Sequence, residues 1–190
     1  MDISPNPALD VDVGVEPAAT ADDPERVAAI TELINVVYDE AEAGLWMTGA
    51  RRTSSEEVAE LIRHEELVTA GSGDRLVGVV RVQRLGEELA EFGMLAADPE
   101  RRGLGIGRDL VAFAEHLAGE GGCREMQLEL LVPATWSHPS KQFLRTWYTR
   151  IGYRHVRTSE LSELYPELAP LLATTCDLEI YRKDLDPRDR

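Results

Sequence analysis

This chain has little cysteine, little lysine, no long apolar run and a deficit of positive charge. Two of its 190 residues are cysteines, Cys123 and Cys176. They are far apart and form no Cys-x-x-Cys pair, so neither a disulfide framework nor a zinc site is expected. Such usage fits a reducing, cytoplasmic compartment. The four histidines fall in separate segments without ligand spacing, so no metal is expected. No apolar stretch approaches the roughly 18 residues that cross a bilayer, so no membrane partner is expected. The first 25 residues hold no Lys or Arg and no apolar block, which argues against a secretory signal or transit peptide. Twenty basic residues face 35 acidic ones, a net charge of −15. Seven of the acids lie in residues 1–25, leaving −8 for the rest. A body this acidic argues against general nucleic-acid binding, which needs a basic face. It is compatible with a cationic substrate, although solubility is the simpler reading. Only two of the 20 basic residues are lysines, and that bias with abundant alanine suggests a GC-rich bacterial genome.

What is present is an ordinary globular composition, 43% hydrophobic and 29% charged. The length favours one domain with a core of its own. Residues 1–22, acidic and interrupted by Pro5, Pro7 and Pro17, read as a flexible or loosely docked tail. Order is expected over 23–185, with 186–190 a C-terminal tail. Asp23-Pro24 reads as an N-cap with proline in the first turn, and Val27, Ile30, Leu33, Ile34 and Val37 follow at helical spacing. Ser54 and Glu57 have capping-box spacing at the start of a second helix. Strands are expected over 67–70, 75–85 and 89–96. A glycine-rich loop over 101–108 opens into a helix, and a strand follows over 125–132. A helix over 140–151, with Gly152 at its C-cap, and strands over 153–158 and 175–185 complete the series. Residues 159–173 look helical in patches between Pro166 and Pro170. The fold class is therefore α/β, in an α+β arrangement with a mixed sheet.

The stretch Arg102-Gly103-Leu104-Gly105-Ile106-Gly107-Arg108 is the most informative. Free N–H groups at a helix start converge with the positive end of its dipole, which suits an anion. The same glycines would also serve a tight strand-to-helix connection. The spacing fails the Gly-x-Gly-x-x-Gly dinucleotide fingerprint, and no Gly-Lys-Ser/Thr follows, so it is not a Walker loop.

Arg102 to Gly107 matches the Gln/Arg-x-x-Gly-x-Gly/Ala signature, and so resembles the GNAT superfamily of N-acetyltransferases. The segment Trp147-Tyr148-Thr149-Arg150-Ile151-Gly152-Tyr153 is similar to the one that ends the last core helix there, and the order of elements agrees over 24–185. The resemblance implies a mostly antiparallel sheet, splayed at a cofactor cleft and flanked by helices. It implies acetyl-CoA as acyl donor, held by the backbone of Arg102, Gly103, Leu104, Gly105, Ile106, Gly107 and Arg108. The pantetheine arm would pair with Leu95, Ala96 and Ala97 as an added strand. A homodimer is also plausible by resemblance. Many relatives carry Asn at the start of the last core helix; Ser140-Lys141-Gln142 departs from that. Lys141 could meet a phosphate, although a solvent-exposed lysine is the simpler expectation.

Acyl transfer to an amine needs a proton acceptor, an oxyanion donor and a proton donor for the thiolate. Tyr148 matches the family's tyrosine and is the candidate acid; otherwise it is a core aromatic. Glu91 is the candidate base, since some relatives carry a glutamate eleven residues before the signature arginine. Strand alternation would place Glu91, Gly93 and Leu95 on one face, with Gly93 a plausible bulge and the Leu95 N–H the oxyanion donor. Glu129 is the alternative carboxylate, and Trp136 and His138 are candidate substrate contacts. Both cysteines read as structural. The expected reaction is direct transfer of acetyl from acetyl-CoA to an amine of a small molecule or peptide. The rival readings are a silent coenzyme-A-binding sensor and an interaction module that uses the acidic tail. Acceptor choice would reside in residues 35–65, 134–140 and 159–174.

Overall fold

Asp23 starts the first helix as the sequence predicts. Its carboxylate accepts from the amides of Glu25 and Arg26, and Pro24 takes a position that needs no donor. In the computed structural model, which describes residues 11–185, this helix α1 spans Pro24–Ala41, and α2 follows at Ser55–Arg63. The Ser54 hydroxyl accepts from the Glu57 amide, while the Glu57 carboxylate takes a hydrogen bond from Thr53 rather than returning to Ser54. Buried Asn35 bonds the backbone of Arg52 and Thr53, which pins the loop between the two helices to α1.

Among the described residues seven strands form one sheet: β1 Asp12–Val15, β2 Leu67–Ser72, β3 Arg75–Arg84, β4 Leu89–Ala97, β5 Glu125–Pro133, β6 Arg154–Glu160 and β7 Cys176–Asp184. Their order is β1-β2-β3-β4-β5-β7-β6. Only β4 and β5 run parallel; the other pairs are antiparallel. Helix α3, Ile106–Glu120, and α4, Pro139–Arg150, complete the main frame, and a single turn α5, Leu161–Leu164, lies between β6 and β7. Apolar side chains of α3, α4 and one sheet face make the larger core, around Phe92, Leu110, Met126 and Tyr153. Those of α1, α2 and the other face make the second, around Ile30, Ile62, Val79 and Met94. At Gly78 a methyl group would come within 2.8 Å of Ile106 and Leu110, so the glycine lets α3 lie close on β3. Among the described residues no helix is long and apolar enough to cross a membrane.

The expected flexible tail over 1–22 needs correction. Residues 1–10 lie outside the described residues, as do 186–190, but Asp12–Val15 pair with β2 and Ala18–Asp22 form a 3-10 turn. Glu16 anchors the segment. Its carboxylate accepts from Arg26 at 2.8 and 2.6 Å, from Thr20 at 2.8 Å and from Thr69 at 2.8 Å. Burial pushes the Glu16 pKa up, but the hydrogen bonds from Arg26 and the two threonines outweigh it and leave it lowered.

Candidate active site

The site begins with an irregularity in β4. Val79 pairs with Ala96 but Arg81 pairs with Gly93, so Met94 and Leu95 together oppose Val80. Met94 adopts φ +50°, a conformation unusual for a residue with a side chain. The bulge turns the strand over. Ala90 and Phe92 point into the α3 core, whereas Met94 and Ala96 point into the α1 core. Glu91 and Gly93 therefore lie on the α1 side of the sheet, whereas the Leu95 side chain packs toward α3. This corrects the expected common face of Glu91, Gly93 and Leu95, and the bulge lies at Met94 rather than Gly93.

Past the bulge the sheet opens. β4 and β5 are paired only at Leu89–Glu125, Ala90–Met126 and Glu91–Gln127, and then part. A cavity of about 840 Å³ fills the gap, bounded by Glu91, Leu95, Glu129, Tyr148 and Tyr165 among others. Its outer wall joins the loop after α1 to the segment before β7. The Met47 amide bonds the Leu171 carbonyl at 2.8 Å, and the Ala173 amide bonds the Leu45 carbonyl at 2.8 Å.

Glu91 is 7% exposed and is held from both sides. The Gln83 amide donates to one oxygen at 2.8 Å and the Gln127 amide to the other at 2.9 Å. Arg81 donates to the Gln83 amide oxygen at 2.8 Å and Arg182 to that of Gln127 at 3.0 Å. Those contacts fix each amide with its NH₂ group toward Glu91. All four partners occupy paired positions on β3, β5 and β7, or lie next to them in the same strands.

Tyr148 is 6% exposed and packs against Phe92, Trp147 and Tyr153, at centroid separations of 6.0, 5.0 and 6.1 Å. Burial, with a smaller contribution from Tyr38, holds its pKa above the usual value, so it stays protonated. The Tyr153 hydroxyl donates to Glu115 and that of Tyr165 to Glu129. Among the described residues no hydrogen bond reaches the Tyr148 hydroxyl, and since every fully buried side-chain oxygen there has a partner, this hydroxyl is open to the cavity that Tyr148 lines. Glu129 receives the Tyr165 hydroxyl at 2.7 Å, and burial followed by the charge of Glu91 raises its pKa. Tyr38, which the sequence reading passed over, also lines the cavity, and burial raises its pKa. Arg52 lies 5.2 Å over its ring.

Trp136 and His138 are not brought to this cavity. Trp136 is 42% exposed and lies against His138. His138 caps α4, accepting from the Ser140 amide at 3.2 Å, and its other ring nitrogen lies 3.2 Å from the Ala43 carbonyl. Lys141 is not exposed, as expected from sequence, but 4% exposed in an ion pair of 2.6 Å with Glu42. Its partner lies 99 residues away, beyond any local pattern. Both cysteines are buried and free, and burial pushes the Cys176 thiol up to about 11.

The glycine loop lies outside this cavity, beyond the end of β4. Gly103 and Gly105 adopt φ +84° and +87°, and Gly105 caps α3. The amides of Gly103, Gly105, Ile106, Gly107 and Arg108 donate to no group among the described residues. Leu104 is exposed, Arg102 pairs with Glu40 at 2.5 Å, and the exposed Arg108 pairs with Asp109 at 3.1 Å. Free amides at the positive end of a 15-residue helix fit a phosphate group. Ala96 and Ala97 lie on the strand end between this loop and the bulge.

An open seam between two parallel strands, with a helix start of free amides at one end, is the scaffold of an acyltransferase. The sequence profile of the acetyltransferase (GNAT) family matches residues 30–146, and the chain belongs to that family. No curated protein matches it by sequence. Among solved structures, an aminoglycoside 6'-N-acetyltransferase complexed with coenzyme A has a TM-score of 0.65 at 20% identity, over 87% of this chain and 93% of that one. Rv2747 from Mycobacterium tuberculosis, in complex with CoA, has a TM-score of 0.63 at 15% identity, over 92% and 99%. An aminoglycoside 6'-acetyltransferase type Ii has a TM-score of 0.63 at 21% identity, over 93% and 99%. At these identities the likeness is one of fold.

Proposed function

We propose that this protein transfers an acetyl group from acetyl-CoA directly to an amine, with Glu91 as base and Tyr148 as acid. The observation that carries the reading is the position of the two groups. A buried carboxylate held only by amides and a protonated, unpartnered hydroxyl line one cavity where β4 and β5 part.

Acetyl-CoA brings an activated acyl group, and the chain positions and deprotonates its partner. The free amides of Gly103 and Gly105–Arg108 would take the pyrophosphate, and the edge of β4 at Leu95–Ala97 would pair with the pantetheine arm. An ammonium cannot attack a thioester, so Glu91 takes a proton from it, directly or through one water. The freed amine attacks the carbonyl carbon, and the oxyanion takes the Leu95 N–H. The C–S bond breaks and Tyr148 protonates the thiolate. The proton that Tyr148 gives is replaced by the second one the nitrogen sheds. Neither cysteine lines the cavity, which supports direct transfer rather than an acyl-enzyme.

Calorimetric titration with acetyl-CoA, followed by thiol release over a panel of amines, tests the reading. Saturable binding with release for one class of amine is expected. Binding without release for any amine would favour a coenzyme-A-binding sensor, and absence of binding would overturn the assignment.

A further inference from the structure

Among the described residues four carboxylates are buried: Glu16, Glu42, Glu91 and Asp98. Three have a cation against them. Arg26 lies 2.6 Å from Glu16, Lys141 2.6 Å from Glu42 and Arg75 2.8 Å from Asp98. Glu91 has none among the described residues, only the two glutamine amides. Glu129 is similar. It is half-buried, its one hydrogen bond is from Tyr165, and Arg157, which faces it from β6, is not within ion-pairing distance.

The two acids share a cavity and a sheet face. Glu91 pairs with Gln127, and Glu129 follows two residues along β5, so both project the same way. One strand spacing and two residues of advance put their backbones about 8 Å apart. Most cations nearby are already committed: Arg81 to Glu66 and Gln83, Lys141 to Glu42, Arg52 to the Tyr38 ring, and Arg51 faces Asp39 at 3.8 Å; Arg157 acts on Glu129 by its charge alone, without an ion pair. The same cavity that holds the two acids is also lined by apolar Met94, Leu130 and Leu144. The unpartnered Tyr148 hydroxyl opens on the same space.

We infer that the acceptor is an aliphatic diamine bound as a dication. One ammonium meets Glu91 beside Tyr148 and is the nitrogen acetylated. The other meets Glu129 and the Tyr165 oxygen, while the methylenes between them lie on Met94, Leu130 and Leu144. The two substrate charges supply the counter-ions that the fold withholds from these two acids. An amine carrying a carboxylate at its far end would meet Glu129 with like charge.

The inference rests on the amine-acetyltransferase reading, but binding tests it without turnover. The full-length protein, saturated with CoA, is titrated calorimetrically with 1,4-diaminobutane, n-butylamine and 4-aminobutyrate. The diamine should bind about tenfold tighter than butylamine, as expected for one added charge-assisted hydrogen bond, and aminobutyrate most weakly. In Glu129→Gln the preference for the diamine should fall to near unity, with acetyl-CoA affinity showing that the variant is folded. Equal binding of diamine and butylamine, or a preference that survives in Glu129→Gln, overturns the inference. Loss of thiol release with the binding preference intact would count against the catalytic reading instead.

Discussion

Glu16 and Glu91 are both carboxylates buried on the sheet, and their partners differ in kind. Glu16 receives a two-point contact from Arg26 and hydroxyls from Thr20 and Thr69, all from within the protein. It ties β1 and the first turn of α1 to β2. Glu91 receives two neutral amides and opens on a cavity. A buried charge that the fold neutralises is a fastener. One that the fold leaves without a counter-ion is available to a cation that arrives from outside. The difference predicts that the first matters to stability and the second to turnover.

The sharpest test of that contrast is Glu91→Gln. The amide is nearly isosteric, so the fold should persist while kcat/KM falls by about 10²–10⁴, the usual worth of a positioned base. The acidic limb of the pH–rate profile should vanish with it. Tyr148→Phe should lower kcat by about 10² with little change in acetyl-CoA affinity, as measured by single-turnover kinetics and calorimetry. Glu16→Ala should do the opposite. Breaking its pair with Arg26 should cost about 3 kcal/mol, or roughly 10 °C in melting temperature, with kcat unchanged in the folded protein. Turnover that falls with stability in Glu16→Ala would break the comparison.

A subtler effect is expected at Gln127. It touches Glu91 but faces no reacting atom, so Gln127→Ala should lower kcat about tenfold through misplacement of the carboxylate and leave the KM for acetyl-CoA as it is. The smallest effect is on acid stability. The Glu16 pKa is lowered in the folded state, so its contribution is complete above the ordinary carboxylate value of 4.5 and is lost as pH falls through the lowered one. Melting curves taken down that range should drop more steeply for the wild type than for Glu16→Gln.

Much of this architecture is legible in the sequence because it is local. The caps at Asp23 and Ser54, the glycine loop before α3 and the periodicity of α1 are each set by a few adjacent residues. The acidic, proline-bearing start concealed β1, although Val11, Val13 and Val15 carry the alternation of a strand, and all three pack on the main core. What stayed hidden depends on distant partners. The bulge at Met94 arises from pairing with β3, and no residue there has the left-handed preference of glycine. Lys141 is buried because Glu42 reaches it in space. Tyr38 reads as one more apolar residue of α1, yet the fold sets it in the cavity lining with Arg52 over its ring. Tyr165 lies in a segment with no readable period and is placed by the contacts of Leu171 and Ala173 with the loop after α1. Trp136 and His138 look like substrate contacts from their residue types and their place in a strand-to-helix loop, which the fold uses to cap α4.

The most direct test of the account is thiol release from acetyl-CoA with 1,4-diaminobutane as acceptor, measured side by side for wild type and Glu91→Gln at equal acetyl-CoA saturation. The account predicts steady release by the wild type and at least a hundredfold less by the variant. Equal release by the two proteins would contradict it.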